Sequence, residues 1–254
     1  MIHVKDLSVE NRLLPMSFQC DKGQVVHIIG PNGSGKSTLL SALAGVLSAK
    51  GDVLFGDQLM SNMALSDLAL VRAYMSQSER PAFNMMVFHF LSMSVPNLPD
   101  IDAKQVDATL SEVTQLLNVS TLLHRTVHQL SGGEWQRVRL AAMCLQVWPA
   151  LNPYSRLLIL DEPSAPLDIG QERYLQQMIT QLAKQGLTVV VANHNLNVTL
   201  NQADQVILLN KGVAIASGTP TAVLLPGVLS TIYDAEVELT EVKGKPMLLF
   251  NGTP

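Results

Sequence analysis

The sequence predicts an α/β fold built on a mostly parallel sheet, and three observations carry that prediction. Short, wholly apolar strand patterns alternate with amphipathic helical patterns. A glycine-rich loop stands between one such strand and the helix after it. Between these repeats, the stretch from about 80 to 150 reads as helices only, an insertion in the α/β core.

Taken in order, Met1–Ser8 reads as a strand, and Val25–Ile29 is a second one that runs into Gly30. Leu39, Leu40, Leu43 and Leu47 fall at helical spacing, which predicts a helix from Lys36 to about Leu47. Residues 51–56 form a strand pattern closed by Gly56 and Asp57. The clearest helix of the insertion is Asp102–Leu117. Strand patterns return at Leu157–Leu160, Thr188–Ala192 and Gln205–Leu209, with helical Gln171–Lys184 between the first two. From about Thr219 the tail reads as a short helix and a hairpin around Lys243, Gly244 and Lys245.

The 254 residues carry 17 Lys and Arg against 21 Asp and Glu, with 47% apolar and 15% charged side chains. That is a globular composition with a sizeable core. A net charge of −4 and a pI near 5.8, with no long basic run, argue against a nucleic-acid partner. Cys20 and Cys144 form neither a disulfide framework nor a metal-ligand pattern and read as buried thiols in a reducing compartment. With no signal peptide and no apolar run long enough to span a bilayer, a soluble, cytosolic chain is expected.

Gly30-Pro31-Asn32-Gly33-Ser34-Gly35-Lys36-Ser37-Thr38 fits the phosphate-loop pattern G-x-x-x-x-G-K-[ST] without a gap. The glycines let successive N–H groups turn toward one anion, and the helix N-terminus adds its positive end. Lys36 would reach the β- and γ-phosphates of a nucleoside triphosphate and Ser37 would hold Mg²⁺. The apolar run Leu157–Leu160 ends in Asp161 and Glu162. Such a strand delivers Asp161 toward the metal and places Glu162 where a carboxylate can polarise a water for in-line attack. Leu130-Ser131-Gly132-Gly133-Glu134 then opens an apolar helix, with Ser131 as N-cap. Two anion-ready helix starts for one triphosphate suggest sites that meet between two copies of the chain.

In this order the motifs resemble the ATP-binding subunits of ABC transporters, over about residues 2–225. They comprise the loop at 30–38, Gln77 after an apolar strand, the signature Leu130–Glu134, Asp161-Glu162, Ser164–Asp168 and His194. The resemblance implies an ABC-type P-loop NTPase core with antiparallel N-terminal strands. It divides the chain into a cassette over 1–225, with its helical subdomain at about 80–150, and an extension of the same domain over 226–254. ATP and Mg²⁺ are the implied ligands. Gly30, Asn32, Gly33, Ser34, Gly35, Lys36, Ser37 and Thr38 would bind nucleotide. Ser131, Gly132 and Gly133 would contact the γ-phosphate held by the opposite copy, and Asp168 would lie in the loop at the dimer interface. Ser37, Gln77 and Asp161 would hold the metal, while Glu162, His194 and Gln77 would act in hydrolysis. The implied assembly is a head-to-tail homodimer with two ATP molecules. It would sit under two transmembrane permease subunits on the cytoplasmic face of a bacterial inner membrane, served indirectly by an external substrate-binding protein.

Two positions depart from the family. No aromatic residue stands at Val9-Glu10-Asn11-Arg12, where one commonly stacks on adenine, and Arg12 offers its guanidinium plane or simply faces solvent. Asn195 follows His194 where the family has Asp. Met75, Phe83, Met85, Met86, Phe88 and Phe90 cluster around Gln77, either as core or as a groove for a partner's helix. The run Gln129–Ala142, the connection Leu145–Ser155 and Arg72–Gln77 are similar to the ATPases of vitamin B12 (cobalamin) importers. Ferric-siderophore and haem importer ATPases are near relatives of these. A regulator that uses the cassette only to dimerise, or a phosphate-loop kinase, would be the rival classes; a kinase has no use for Ser131-Gly132-Gly133.

Overall fold

In the computed structural model, which describes residues 1–77 and 80–251, two antiparallel strands open the chain: β1 (Ile2–Val9) and β2 (Leu13–Cys20). β3 (Val25–Ile29) leads through the glycine-rich loop into α1 (Lys36–Leu43), and β4 (Lys50–Phe55) and β5 (Gln58–Leu59) follow. Next come α2 (Leu65–Val71), β6 (Arg72–Met75), α3 (Val87–Ser92), α4 (Ala103–Leu116) and α5 (Gly132–Val147). β7 (Leu157–Asp161), α6 (Ile169–Lys184), β8 (Thr188–Ala192), α7 (Leu196–Gln202) and β9 (Gln205–Asn210) restore the α/β alternation. β10 (Val213–Gly218), α8 (Pro220–Val223), α9 (Pro226–Tyr233) and the hairpin β11 (Glu236–Val242) with β12 (Lys245–Asn251) complete it. The expected C-terminal extension runs to residue 254, and 252–254 lie outside the described residues.

The chain divides into two units, Met1–Asn62 with Val190–Pro254, and Met63–Val189. In the first, an antiparallel sheet is ordered β2-β1-β4-β5, and β3 pairs in parallel with β9, which pairs antiparallel with β10. β3, β8 and the centre of β9 are buried on both faces, which is why they read as unbroken apolar runs. Ile29, Leu196, Val206, Leu208, Leu229 and Leu248 form one core, which ties the C-terminal segments to β3 and α7. Asn197 of α7 fixes the hairpin through its amide. Its Nδ2 donates to the Leu248 carbonyl at 2.9 Å and its Oδ1 accepts from the Leu248 N–H at 2.7 Å. α1 stops at Leu43, short of the expected Leu47. The Gly45 N–H turns back to Ala42 O (3.0 Å) and the Val46 N–H to Ser41 O (2.9 Å), the paired bonds of a Schellman end.

In the second unit β6 and β7 are parallel neighbours, and α5 packs against β6, α3, α4 and α6. α5 is buried nearly all round, at Trp135, Val138, Leu140, Ala141, Cys144 and Leu145 among others, so it is the central helix here and not an amphipathic one. α4 is amphipathic, and its N-cap Asp102 accepts from the Gln105 N–H at 2.7 Å. The connection after α5 is organised by Asn152, which is buried. Its Nδ2 donates to Leu70 O and Gln146 O (both 2.8 Å), and its Oδ1 accepts from the Tyr154 N–H at 3.2 Å. Both cysteines are buried; burial pushes the Cys20 thiol up to about 12 and raises that of Cys144 further.

Candidate nucleotide site

The predicted residues fall in both units: the phosphate loop and His194 in the first, and Gln77, the signature, Asp161, Glu162 and Asp168 in the second. In the first unit, β3 runs into Gly30, whose φ is +147°. A Cβ there would lie 2.2 Å from Leu209 O and 2.6 Å from Ser34 Oγ, so only glycine fits. The loop is then tied down by Ser34 N–H to Pro31 O (3.1 Å) and by Gly212 N–H to Ser34 O (2.9 Å). Lys36 is buried, and its ammonium curls back into the loop, donating to Gly30 O at 2.9 Å and Pro31 O at 3.2 Å. That places a fixed positive charge at the loop's own carbonyls, at the head of α1, where helix N–H groups also gather. Space is open where a Gly33 side chain would be, and Asn32 and Ser37 are exposed while Thr38 is half-buried. The arrangement is a cradle for a polyanion, and a triphosphate fits it.

Arg12 is exposed at the β1–β2 turn, and its carbonyl stands 3.5 Å from where a Gly35 Cβ would be, so this turn borders the loop. His194 is exposed between β8 and α7. Asn195, the departure from the family, has a structural role as the N-cap of α7. Its Oδ1 accepts from the Asn197 and Val198 N–H groups, both at 3.1 Å.

In the second unit, fully buried β7 ends on Asp161, itself 4% exposed. Glu162 follows in the left-handed region with φ +49°, a conformation that costs a glutamate on the order of 1 kcal/mol and swings its carboxylate off the strand line. The carboxylate accepts from Gln77 Nε2 at 2.8 Å, so the structure brings these two predicted residues together. The Ser37 hydroxyl of the first unit and the Asp161 carboxylate of the second are each a hard oxygen donor, the class of ligand that Mg²⁺ takes.

Ser131 caps α5 in a reciprocal box: its Oγ accepts from Glu134 N–H (3.2 Å), and Glu134 Oε2 accepts from Ser131 N–H (2.7 Å). Arg125 joins Glu134 at 2.9 Å. The Ser131 N–H, helped by Arg125, holds the Glu134 carboxyl below the usual carboxylate range. Space is open where a Gly132 Cβ would be. At Gly133 a Cβ would come within 2.3 Å of Gln171 Oε1 and 3.3 Å of Pro166 O, so the signature packs directly on the loop after Glu162. Gln136 Nε2 extends that contact to Pro163 O at 2.7 Å. Asp168 acts here as the N-cap of α6, accepting from Gln171 N–H at 2.8 Å.

Sequence reasoning missed Arg80 and Arg139. Arg80 donates to His128 O (3.2 Å) and Leu130 O (2.5 Å) at the start of the signature, and Arg139 donates to Ser76 O beside Gln77. Neither belongs to a spacing pattern, because their partners are main-chain carbonyls about 50 residues or more away. The Met and Phe cluster divides between its two readings. Met75 is core, whereas Phe83, Met86 and Phe88 are exposed. Met75 and Phe90 line a cavity of about 280 Å³ with Tyr74, Pro81, Trp135 and Met143, and Ser76 and Arg139 add polar groups to its wall.

Comparison with known proteins identifies the family. The family model described as ABC transporter matches residues 13–165. The vitamin B12 import ATP-binding protein BtuD of Vibrio atlanticus (strain LGP32) is 53% identical over 251 residues, covering 98% of this chain and 100% of its own. BtuD of Photobacterium profundum is 48% identical, with 99% of each chain covered. Among solved structures, a nucleotide-free ATP-binding cassette from an ABC transporter superposes with a TM-score of 0.76 at 25% identity, covering 91% of this chain and 98% of that one. An inward-facing metal-chelate-type ABC transporter reaches 0.79 at 21% identity, over 100% and 97%. With the phosphate loop, the signature and the Asp161-Glu162 strand end all formed, the chain belongs to the ABC transporter family, as an ATP-hydrolysing cassette.

Proposed function

We propose that this chain energises import of vitamin B12 (cobalamin) by hydrolysing ATP on the cytoplasmic face of a bacterial inner membrane. The observation that carries the cargo assignment is the 53% identity to a vitamin B12 import ATP-binding protein over that protein's whole length. In this reading the cassette spans residues 1–225, with its helical subdomain at about 80–150, and 226–254 extends the same domain. Gly30–Thr38 holds the triphosphate, and Ser37, Gln77 and Asp161 hold Mg²⁺, which supplies charge neutralisation on the phosphates. Glu162, held by Gln77, polarises the attacking water, and His194 steadies charge on the γ-phosphate. Ser131, Gly132 and Gly133 serve the ATP of a second copy in a head-to-tail dimer, with Asp168 at the interface. The Arg12 carbonyl borders the loop, which supports its guanidinium as the surface that stacks on adenine, with a solvated side chain as the alternative.

Two membrane permease subunits receive the motion, and an external binding protein delivers cobalamin to them. Exposed Phe83, Met86 and Phe88 support docking of a permease helix on this segment. The test is uptake of labelled cobalamin and of a ferric siderophore in cells lacking this chain, complemented with wild type or Lys36→Ala. Cobalamin uptake restored only by wild type supports the reading, and loss of siderophore uptake alone overturns the cargo. In the purified complex, Glu162→Gln should bind ATP and remain a closed dimer; a protein that stays monomeric with excess ATP and Mg²⁺ counts against the sandwich.

A further inference from the structure

Beneath His194 the first unit buries a second histidine that none of the roles above uses. His27 lies in β3, three residues before the phosphate loop, and is 1% exposed. Its Nδ1 is 2.9 Å from Thr199 Oγ1 on α7 and 3.5 Å from Asn193 Nδ2, while Nε2 has no hydrogen-bond partner among the described residues. Both neighbours hold the segment that carries His194. Asn193 donates its N–H to Ile28 O (3.0 Å) and accepts the Asn195 N–H on Oδ1 (3.0 Å). Thr199 donates its N–H (3.1 Å) and its hydroxyl (3.2 Å) to Asn195 O.

The proton inventory sets the tautomer. Thr199 has one hydroxyl proton, and it is used on Asn195 O, so its oxygen accepts from His27 Nδ1–H. A neutral ring with its proton on Nδ1 leaves Nε2 as a bare acceptor, in keeping with the partnerless atom. Burial favours that neutral form and pushes the ring down to about 4. Asn193 Nδ2 is also a donor and makes no bond to that Nδ1–H; Asn195, just after exposed His194, is tied to the ring through Thr199, and Asn193, just before it, is tied to the same strand by its N–H to Ile28 O.

We propose that His27 is a positioning residue for hydrolysis: through Thr199 it sets the Asn195 backbone, so that His194 is held in one place relative to the loop. This rests on the reading that His194 acts on the γ-phosphate. Because the residue acts through another, its signature is coupling and not a general loss of function.

The experiment is a double-mutant cycle on the full-length protein, measuring kcat for ATP and ATP affinity for His27→Val, His194→Ala and the pair. His27→Val should lower kcat about tenfold while ATP affinity stays within about twofold, since small misplacements of a positioned group act on the chemical step. His27→Asn, which restores a donor at the place of Nδ1, should recover most of the loss. In a His194→Ala background, His27→Val should cost nothing further. An equal loss with and without His194, or weaker ATP binding at unchanged kcat, overturns the proposal. Wild-type kcat in His194→Ala alone would overturn the reading of His194, and this assignment falls with it. Thr199→Val keeps the shape and deletes the acceptor, and it reads the same link if His27→Val does not fold.

Discussion

Acid should find His27 before it finds most of the fold. The perturbation is a drop from pH 7.5 to 5.0 on wild type and on His27→Asn, which cannot ionise. The folded ring titrates at about 4 against an ordinary 6.5, because burial penalises its charged form, so the unfolded chain binds the proton more readily. The sign follows: stability is fully present above the unfolded value and falls as pH drops through 6.5. The loss is complete only below about 4. The gap between the two pKa values corresponds to about 3 kcal/mol in total, of which about 2 kcal/mol falls between pH 7.5 and 5.0. With a urea slope of about 3 kcal/mol/M, wild type should lose about 0.7 M more in unfolding midpoint than His27→Asn over that interval. Urea titrations of both proteins at both pH values measure this, and other ionising groups cancel in the difference. Equal losses in the two proteins would refute a neutral, buried His27.

Other contacts give equally direct expectations. Gly133→Val should lower ATP turnover more than tenfold with ATP binding kept, because its Cβ meets Gln171 Oε1 and Pro166 O. Gly133→Ala should be milder, since Gln171 can rotate away, and nucleotide binding with steady-state turnover measures both. Gln77→Ala frees the Glu162 carboxylate from its 2.8 Å bond and should cut kcat about tenfold at unchanged ATP affinity. Asn197→Leu strips both polar groups of Leu248 of their partner and should cost about 2 to 3 kcal/mol. Faster exchange of the Leu248 amide proton would report it locally.

Much of this molecule was readable before any coordinates. β3, β7, β8 and β9 announce themselves as apolar runs because both faces are buried, and the phosphate loop must be contiguous because its N–H groups serve one anion. β2 escaped because it is an edge strand with exposed positions and a proline, Pro15, which an edge tolerates. The end of α1 was misplaced because Leu47 keeps the helical spacing in a turn that Gly45 has already closed. The partners of His27 were invisible for another reason: Thr199 is 172 positions away, and no local pattern encodes a meeting of that kind. The same holds for Gln171, which no motif marks and which fills the space beside Gly133.

Because the first unit is made from the two ends of the chain, synthesis on the ribosome meets it out of order. The phosphate-loop sequence is complete by residue 38, yet β9, the parallel partner of β3, begins only at Gln205. Asn197 must wait still longer for Leu248. A nascent chain stalled near residue 190 therefore has the motif and lacks the strand and hairpin that shape it. Contacts so distant in sequence form late and slowly, and they leave apolar β3 without its neighbour in the interval. ATP affinity in a series of stalled chains should accordingly rise late, with the emergence of β9 and then of the hairpin, and not with the loop itself.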